Sequence, residues 1–319
     1  MRVFDTMEDY AAACGPCVAA LGMFDGVHAG HAALVGRAVS EARARGVLAV
    51  AVTFRASPLR TLCPDRAPGD IQTLAEKLDS LRALGVDAAV CEEFTAEYAR
   101  RPGLDFARDL SGKLRAQAVV AGFNYTFGDR GACGAQELKR MGSELGFEVM
   151  IMEPVSIDGG AVSSTRIRER LAQGDIAAVN AMLGRPYELS GTVAHGKHLG
   201  HTLGFATANL DLEPGRALPH PGVYVCAMKL EGDWLPGVLN IGSQPTVPSG
   251  RLTCEAHALC QLGDVYGRFM RVMFLDFRRP ERRFSGIDEL RAQVESDKAD
   301  ARAWFEANDA LQRLNGTSK

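Results

Sequence analysis

Gly22-Met23-Phe24-Asp25-Gly26-Val27-His28-Ala29-Gly30-His31 decides the fold. The apolar run Val18–Leu21 before it reads as a buried strand. After it, Leu34, Val35, Ala38, Val39 and Ala42 recur at helical spacing. The two histidines therefore fall at a strand-to-helix turn, the edge where open parallel sheets bind ligands. Glycines at 22, 26 and 30 let the backbone pass close to a bulky anion. A helix start adds N–H groups and a positive dipole end, both suited to phosphate. Two imidazoles three residues apart can donate hydrogen bonds to phosphoryl oxygens as charge develops. Two histidines merely in a turn, or half of a metal site, are the plainer alternatives.

Strand and helix alternate outward from this stretch. Helix is expected from about 30 to 45, ended by Gly46, then a continuous apolar strand over Val47–Phe54. After a polar loop, Thr73 and Glu76 form a capping box for a helix carrying Leu74, Leu78, Leu81 and Leu84. Strands at 86–90, 118–121 and 147–152 alternate with helices marked by Leu104/Leu110/Leu114 and Leu138/Met141/Leu145. This pattern predicts a parallel sheet covered on both faces, a Rossmann-like α/β domain. The pattern changes near Gly184-Arg185-Pro186. Short alternating stretches follow at 188–194, 222–230, 234–241, 252–260 and 268–277, which predict an antiparallel sandwich or barrel. Ser285 and Asp288 suggest a capping box for a final helix with Leu290, Val294, Ala301, Trp304 and Phe305 on its buried side. Domains of 1–184 and 185–319 are expected.

The 319 residues are 46% hydrophobic and 24% charged, the balance of a soluble globular protein. A formal net charge of −3 gives no case for nucleic acid or an anionic membrane as main partner. Asp5, Glu8 and Asp9 give the first ten residues the wrong charge for a signal peptide, so a cytoplasmic protein is expected. Cys14-Gly15-Pro16-Cys17 matches a thioredoxin-type motif by letter. It follows a helix-like segment and precedes a strand, however, the reverse of the order that lowers a thiol pKa.

Three further constellations carry chemistry. Ser163-Ser164-Thr165-Arg166-Ile167-Arg168 places hydroxyls and two arginines at a helix start. Capping alone accounts for the hydroxyls, but the arginines oppose the helix dipole, and an anionic ligand would relieve that conflict. Gly122-Phe123-Asn124-Tyr125-Thr126-Phe127-Gly128 follows a strand. It is either a stacking and hydrogen-bonding surface for a planar ring or core aromatics entering a turn. Gly191–Lys197 satisfies the first part of a P-loop pattern, but His198 stands where Ser or Thr would hold magnesium. A glycine-rich loop touching phosphate in another way, through Gly196, stays open.

The first stretch resembles the HxGH signature of nucleotidyltransferases and, more closely, the GxFDGxHxGH opening of bacterial bifunctional riboflavin kinase/FMN adenylyltransferases. Ser163–Arg168 looks like that family's SSTxIR, and 122–128 like its GxNYxFG. Gly204-Phe205-Ala206-Thr207-Ala208-Asn209-Leu210 resembles its GFPTANL, Leu239–Thr246 its NIGxxPT, and Glu255-Ala256-His257 its catalytic strand. The resemblance runs from about Val18 to Phe305. It implies adenylylation of FMN to FAD in the first domain, with catalytic His28 and His31. It also implies ATP phosphates near Gly22, Phe24, Gly30, Ser163, Ser164, Thr165, Arg166 and Arg168, and flavin near Asn124, Phe127 and Gly128. For the second domain it implies phosphorylation of riboflavin to FMN, with Glu255 as general base and Mg²⁺ on Thr207 and Asn209. ATP, riboflavin and FMN are the implied partners, in a monomer or weak homo-oligomer. Three departures stand out. Arg55-Ala56-Ser57-Pro58 replaces a DPHP-like segment, and Ala206 and His201 replace a proline and an arginine of the kinase motif. The last two leave open an enzyme with only the adenylyltransferase working, its barrel a flavin-binding or regulatory module. A non-catalytic flavin sensor and a nucleotidyltransferase for another phosphate are the remaining alternatives.

Overall fold

The computed structural model describes residues 1–194, 207–243 and 252–316; side chains are described there except those of Thr207 and Ser243. It divides into two compact units, Met1–Ser164 and Thr165–Lys319.

The first unit is a six-stranded parallel sheet. Its strands are β1 (Arg2–Phe4), β2 (Cys17–Leu21), β3 (Leu48–Phe54), β4 (Ala88–Glu92), β5 (Ala116–Gly122) and β8 (Glu148–Met152), in the spatial order β1-β4-β3-β2-β5-β8. Two-residue strands β6 (Thr126–Phe127) and β7 (Cys133–Gly134) pair beside it, as do β9 (Ser156–Ile157) and β10 (Gly160–Ala161). Strand β2 shows why the apolar runs are continuous. Cys17, Ala19 and Leu21 pack into the core on one face, and Val18 and Ala20 into the core on the other. The first face is covered by α1 (Met7–Ala13), α5 (Gly103–Gly112) and α6 (Ala135–Leu145). The second is covered by α2 (Ala29–Arg45) through Leu34, Val35, Ala38 and Ala42, and by Leu81 of α4 (Leu74–Ala83). A short α3 (Pro58–Leu62) occupies part of the expected loop. From β2 the strand order runs through β3 and β4 in one direction and through β5 and β8 in the other. The switch point therefore lies at the end of β2, where His28 and His31 follow.

The second unit begins with α7 (Ser164–Gln173, its first residue at the boundary) and α8 (Ile176–Leu183). A closed antiparallel barrel follows, ordered β11-β12-β15-β14-β13-β16, which settles the sandwich-or-barrel alternative. Its strands are β11 (Tyr187–Ala194), β12 (Thr207–Leu212), β13 (Gly222–Lys229), β14 (Leu235–Ser243), β15 (Leu252–Ala258) and β16 (Phe269–Pro280). The twelve-residue β16 closes the barrel by pairing with β11 and, across two register shifts, with β13. Asn180 ties α8 to the barrel: its amide donates to Phe274 O at 2.9 Å and its carbonyl accepts from Tyr187 N at 2.7 Å. The long α9 (Ile287–Asn308) packs Ala301 and Phe305 on Val223, Val225 and Val238, and α10 (Ala310–Gly316) ends the described chain. Asp297 on α9 is buried and takes both Nε and Nη2 of Arg279, at 2.9 and 2.6 Å.

The expected box of Ser285 and Asp288 differs from what forms. Gly286 is the cap residue of α9 and cannot cap with a side chain. Ser285 instead donates through both N and Oγ to Glu289, at 2.8 Å each. The Thr73/Glu76 box forms as expected, with reciprocal bonds of 3.2 and 2.8 Å. Cys17 is buried at the start of β2, and burial pushes its thiol up to about 12, far from a reactive thiolate.

Candidate active sites

The chain from β2 into α2 is bent by its own backbone. Gly26 takes a φ of +85°, and Phe24 and Val27 hold left-handed values of +52° and +38° despite their side chains. Such strain costs about 1–3 kcal/mol per residue and persists only where the surroundings enforce it. Here they do. Phe24 is fully buried and its ring lies against Gly22, where a Cβ would come within 2.8 Å of it. The Asp25 carboxylate accepts from the backbone N–H of Ile71 and Gln72, at 2.9 and 3.3 Å. Ser164 Oγ donates to the Asp25 carbonyl at 2.9 Å, tying the serine-rich stretch to this turn.

His28 is the N-cap of α2, and its Nδ1 accepts from the backbone N–H of His31 at 3.3 Å. A nitrogen that accepts carries no proton, so capping puts the proton of neutral His28 on Nε2. The two imidazoles stack, centroids 3.6 Å apart and planes 16° from parallel, and Phe24 meets His31 edge-on at 5.3 Å. Burial, followed by the nearby His28 and Lys77, holds His31 well below the usual imidazole range. Its Nδ1 is buried and has no hydrogen-bond partner. His31 is thus neutral.

These histidines border a cavity of about 800 Å³ at the C-terminal ends of β2, β3, β5 and β8. Gly22, Met23, His28, Gly30 and His31 line one part with Ser163 and Ser164. Asn124, Phe127 and Gly128 line it as well, bringing three separate sequence motifs to one cavity. Phe24 does not line it and packs behind the turn. Thr165, Arg166 and Arg168 belong to the second unit. The cavity also holds residues the sequence did not single out. Phe54, Phe94 and Tyr98 form an aromatic cluster with centroids 5.1 to 5.6 Å apart. Arg101 lies over the Tyr98 ring at 5.8 Å. Behind it Glu92 is buried, its carboxyl raised by burial while Tyr98 hydrogen-bonds to it. Phe94 and Tyr98 are neighbours in one loop, but Phe54 lies 40 positions earlier, so no local signal could have grouped all three.

In the barrel, register gathers the other candidates. Asn209 of β12 lies directly opposite Glu255 of β15, and Glu255 opposite Asn240 of β14. Directly opposed residues project to one face, so two amides flank this carboxylate across three strands. Thr207 pairs with His257 in the same ladder. Burial, with Lys298 nearby, pushes His257 down to about 4, Asp297 opposing the shift. Asn240 lies within the NIG stretch, but its residue type alone gave it no site role. Gly196, His201 and Ala206 lie outside the described residues, as does the 244–246 part of that stretch. Among the described residues no group of three or more His, Cys, Asp or Glu is arranged to hold a metal. No helix among them is long and apolar enough to cross a membrane.

A parallel α/β unit with a histidine-bordered cavity at its switch point, joined to a closed six-stranded barrel, defines a two-domain nucleotidyltransferase-like protein. The family model for FAD synthetase matches residues 11–166, and that for riboflavin kinase matches 183–305. The bifunctional riboflavin kinase/FMN adenylyltransferase of Escherichia coli K12 is 37% identical over 291 residues, 91% of this chain and 93% of that protein. The Bacillus subtilis protein of the same name is 33% identical over 294 residues, 90% of this chain and 92% of its own. A crystal structure described as a macrolide-efflux protein from Streptococcus pneumoniae superposes with a TM-score of 0.86 at 30% identity, covering 95% of this chain and all of that one. The chain belongs to the bifunctional riboflavin kinase/FMN adenylyltransferase family.

Proposed function

We propose that the protein phosphorylates riboflavin to FMN in a C-terminal domain, 185–319, and adenylylates FMN to FAD in an N-terminal domain, 1–184. In the first reaction the terminal ribityl hydroxyl attacks the γ-phosphorus of ATP, its proton goes to Glu255, and ADP leaves. In the second an FMN phosphate oxygen attacks the α-phosphorus of a second ATP, and the bond to the bridging oxygen breaks to release pyrophosphate. The observation that carries the reading is the stacked His28/His31 pair beside a cavity that also has an aromatic wall. One part suits phosphate, the other a planar tricyclic ring.

Adenylyl transfer needs alignment and charge neutralisation rather than a covalent nucleophile. His28 is held so that Nε2–H donates to a phosphoryl oxygen. His31, kept neutral and desolvated, presents its imidazole as a second polar group whose effect is stronger for lack of water. Ser163, Ser164, Thr165, Arg166 and Arg168 are assigned to the leaving pyrophosphate, with Gly22 and Gly30 letting the nucleotide approach and Phe24 shaping the turn. Asn124, Phe127 and Gly128, with Phe54, Phe94 and Tyr98, are assigned to the flavin ring. In the barrel Glu255 is the general base, and Gly196 is assigned to the ATP phosphates. The oxygen donors there fit a hard cation. Asn209 stands beside Glu255, and a hydroxyl and an amide oxygen are the hard donors such an ion takes. Thr207 and Asn209 would hold Mg²⁺, which when bound neutralises phosphate charge. We place the protein in the cytoplasm, as a monomer or weak homo-oligomer acting on small molecules. Wild-type protein given FMN, ATP and Mg²⁺ is expected to release pyrophosphate and FAD in equal amounts. Tight FMN binding without pyrophosphate would leave a flavin sensor instead.

A further inference from the structure

Lys77 is the first residue of α4's second turn and only 5% exposed. Its ammonium donates to Phe54 O at 2.8 Å and to Met23 O at 3.3 Å. Both acceptors belong to residues that line the cavity, one at the end of β3 and the other in the turn after β2. Thr53 Oγ1 also donates to Met23 O, at 3.0 Å, so that carbonyl is gripped from two sides. Lys77 itself does not line the cavity.

A neutral donor could tie these carbonyls together, as Thr53 does for one. An ammonium here is unfavourable in three ways. It is desolvated, which pulls it below the usual lysine range. It stands near the positive end of a helix dipole. It has no ion-pair partner among the described residues; Asp25 and Asp70 act on it only from a distance. Lysines are seldom buried without a paired anion. The groups facing His31 are His28, stacked on it, and Lys77; both act on the neutral His31 imidazole with positive charge. What the arrangement lacks is a directly paired anion, and a nucleotide's phosphates bring negative charge.

We infer that Lys77 is a positioning residue for adenylyl transfer: its ammonium clamps the Met23 and Phe54 carbonyls, shaping the turn after β2, and sets a fixed positive charge behind the histidine pair. This role rests on the function proposed above. It acts on the transition state more than on ground-state binding, because the charge on the leaving pyrophosphate grows as the α-phosphorus bond breaks.

The test uses the full-length protein with Lys77→Met, which keeps length and volume without donors or charge, and Lys77→Gln, which keeps a donor without the charge. Three quantities are measured on each: kcat and KM for FMN in FAD formation, FMN binding by quenching of flavin fluorescence, and riboflavin phosphorylation by the same molecules. The expected result is a loss of about 10²-fold in kcat for both variants, with KM for FMN within threefold of wild type. Riboflavin phosphorylation, carried by the other unit, is expected within twofold of wild type. Unchanged kcat in both variants overturns the inference. So does full activity in Lys77→Gln beside a loss in Lys77→Met, which would make the clamp sufficient and the charge idle. A raised KM with unchanged kcat overturns it too, leaving Lys77 a support of the cavity wall. If Lys77→Met loses FMN binding altogether, Lys77→Gln decides by the same criteria, and loss of binding in both makes the residue structural and overturns the role. Wild-type protein that makes no FAD from FMN refutes the proposed function itself; wild-type activity beside unaffected variants refutes only the role of Lys77.

Discussion

His28 does two things at once, and two substitutions separate them. As N-cap of α2 it accepts one backbone N–H; as an imidazole lining the cavity it is the proposed phosphate donor. The cap bond is long, 3.3 Å, which places it at the low end of the capping scale, about 0.5–1 kcal/mol. The stacked contact with His31 at 3.6 Å adds about 0.5–1.5 kcal/mol. His28→Ala loses both, about 1–2.5 kcal/mol, a fall of roughly 3–8 °C in the melting temperature of a unit this size. His28→Asn restores the cap, since an asparagine oxygen sits where Nδ1 does, and is expected to recover about 2 °C of that fall. Neither variant supplies the imidazole donor, so both should lose about 10²–10³-fold in kcat for FAD formation. Thermal unfolding followed by circular dichroism, with steady-state assays of FMN adenylylation, measures the two effects side by side. The reasoning fails if His28→Asn keeps more than about a tenth of wild-type kcat, because capping would then be the residue's whole task.

Other consequences follow from the same geometry. Glu255→Gln should abolish riboflavin phosphorylation while FMN adenylylation stays within twofold, read by chromatography of the two flavin products. Phe54→Ala removes one ring of the aromatic cluster and should raise KM for FMN about tenfold with little change in kcat, measured by initial rates over a range of FMN concentrations. His257 is pushed down to about 4, so the folded barrel prefers it neutral. Its contribution is complete above the ordinary value of about 6.5 and is lost as pH falls toward 4, up to about 3 kcal/mol. Urea unfolding of wild type and His257→Gln between pH 7 and 4.5 should show the wild type losing more stability than the variant.

Much of the first unit was legible because both faces of its sheet are buried. Continuous apolar runs such as Val47–Phe54, alternating with helical spacing, leave few other arrangements. The histidine turn was legible because glycine, strand end and helix start coincide within ten residues. Lys77 was not. In α4 a helical period points to leucines as the buried face, and a lysine four residues before Leu81 reads as a solvated charge. Only the third dimension shows the two carbonyls that hold it. The cap of α9 was misplaced for a related reason: Ser285 and Asp288 have the right spacing, but the helix starts one residue later and Glu289 is the nearer acceptor. The three-residue β1 was too short to carry a period, and the aromatic wall joins Phe54 to Phe94 and Tyr98, 40 or more positions further on, which only the sheet's C-terminal edge unites.

The central claim, two successive flavin reactions in one chain, is tested most directly by incubating purified protein with riboflavin, ATP and Mg²⁺ and following flavins by chromatography over time. The account predicts FMN first, then FAD, and with Glu255→Gln neither product from riboflavin but FAD from added FMN. FAD from FMN with wild-type riboflavin untouched would contradict the kinase half, and no product from either flavin would contradict the whole.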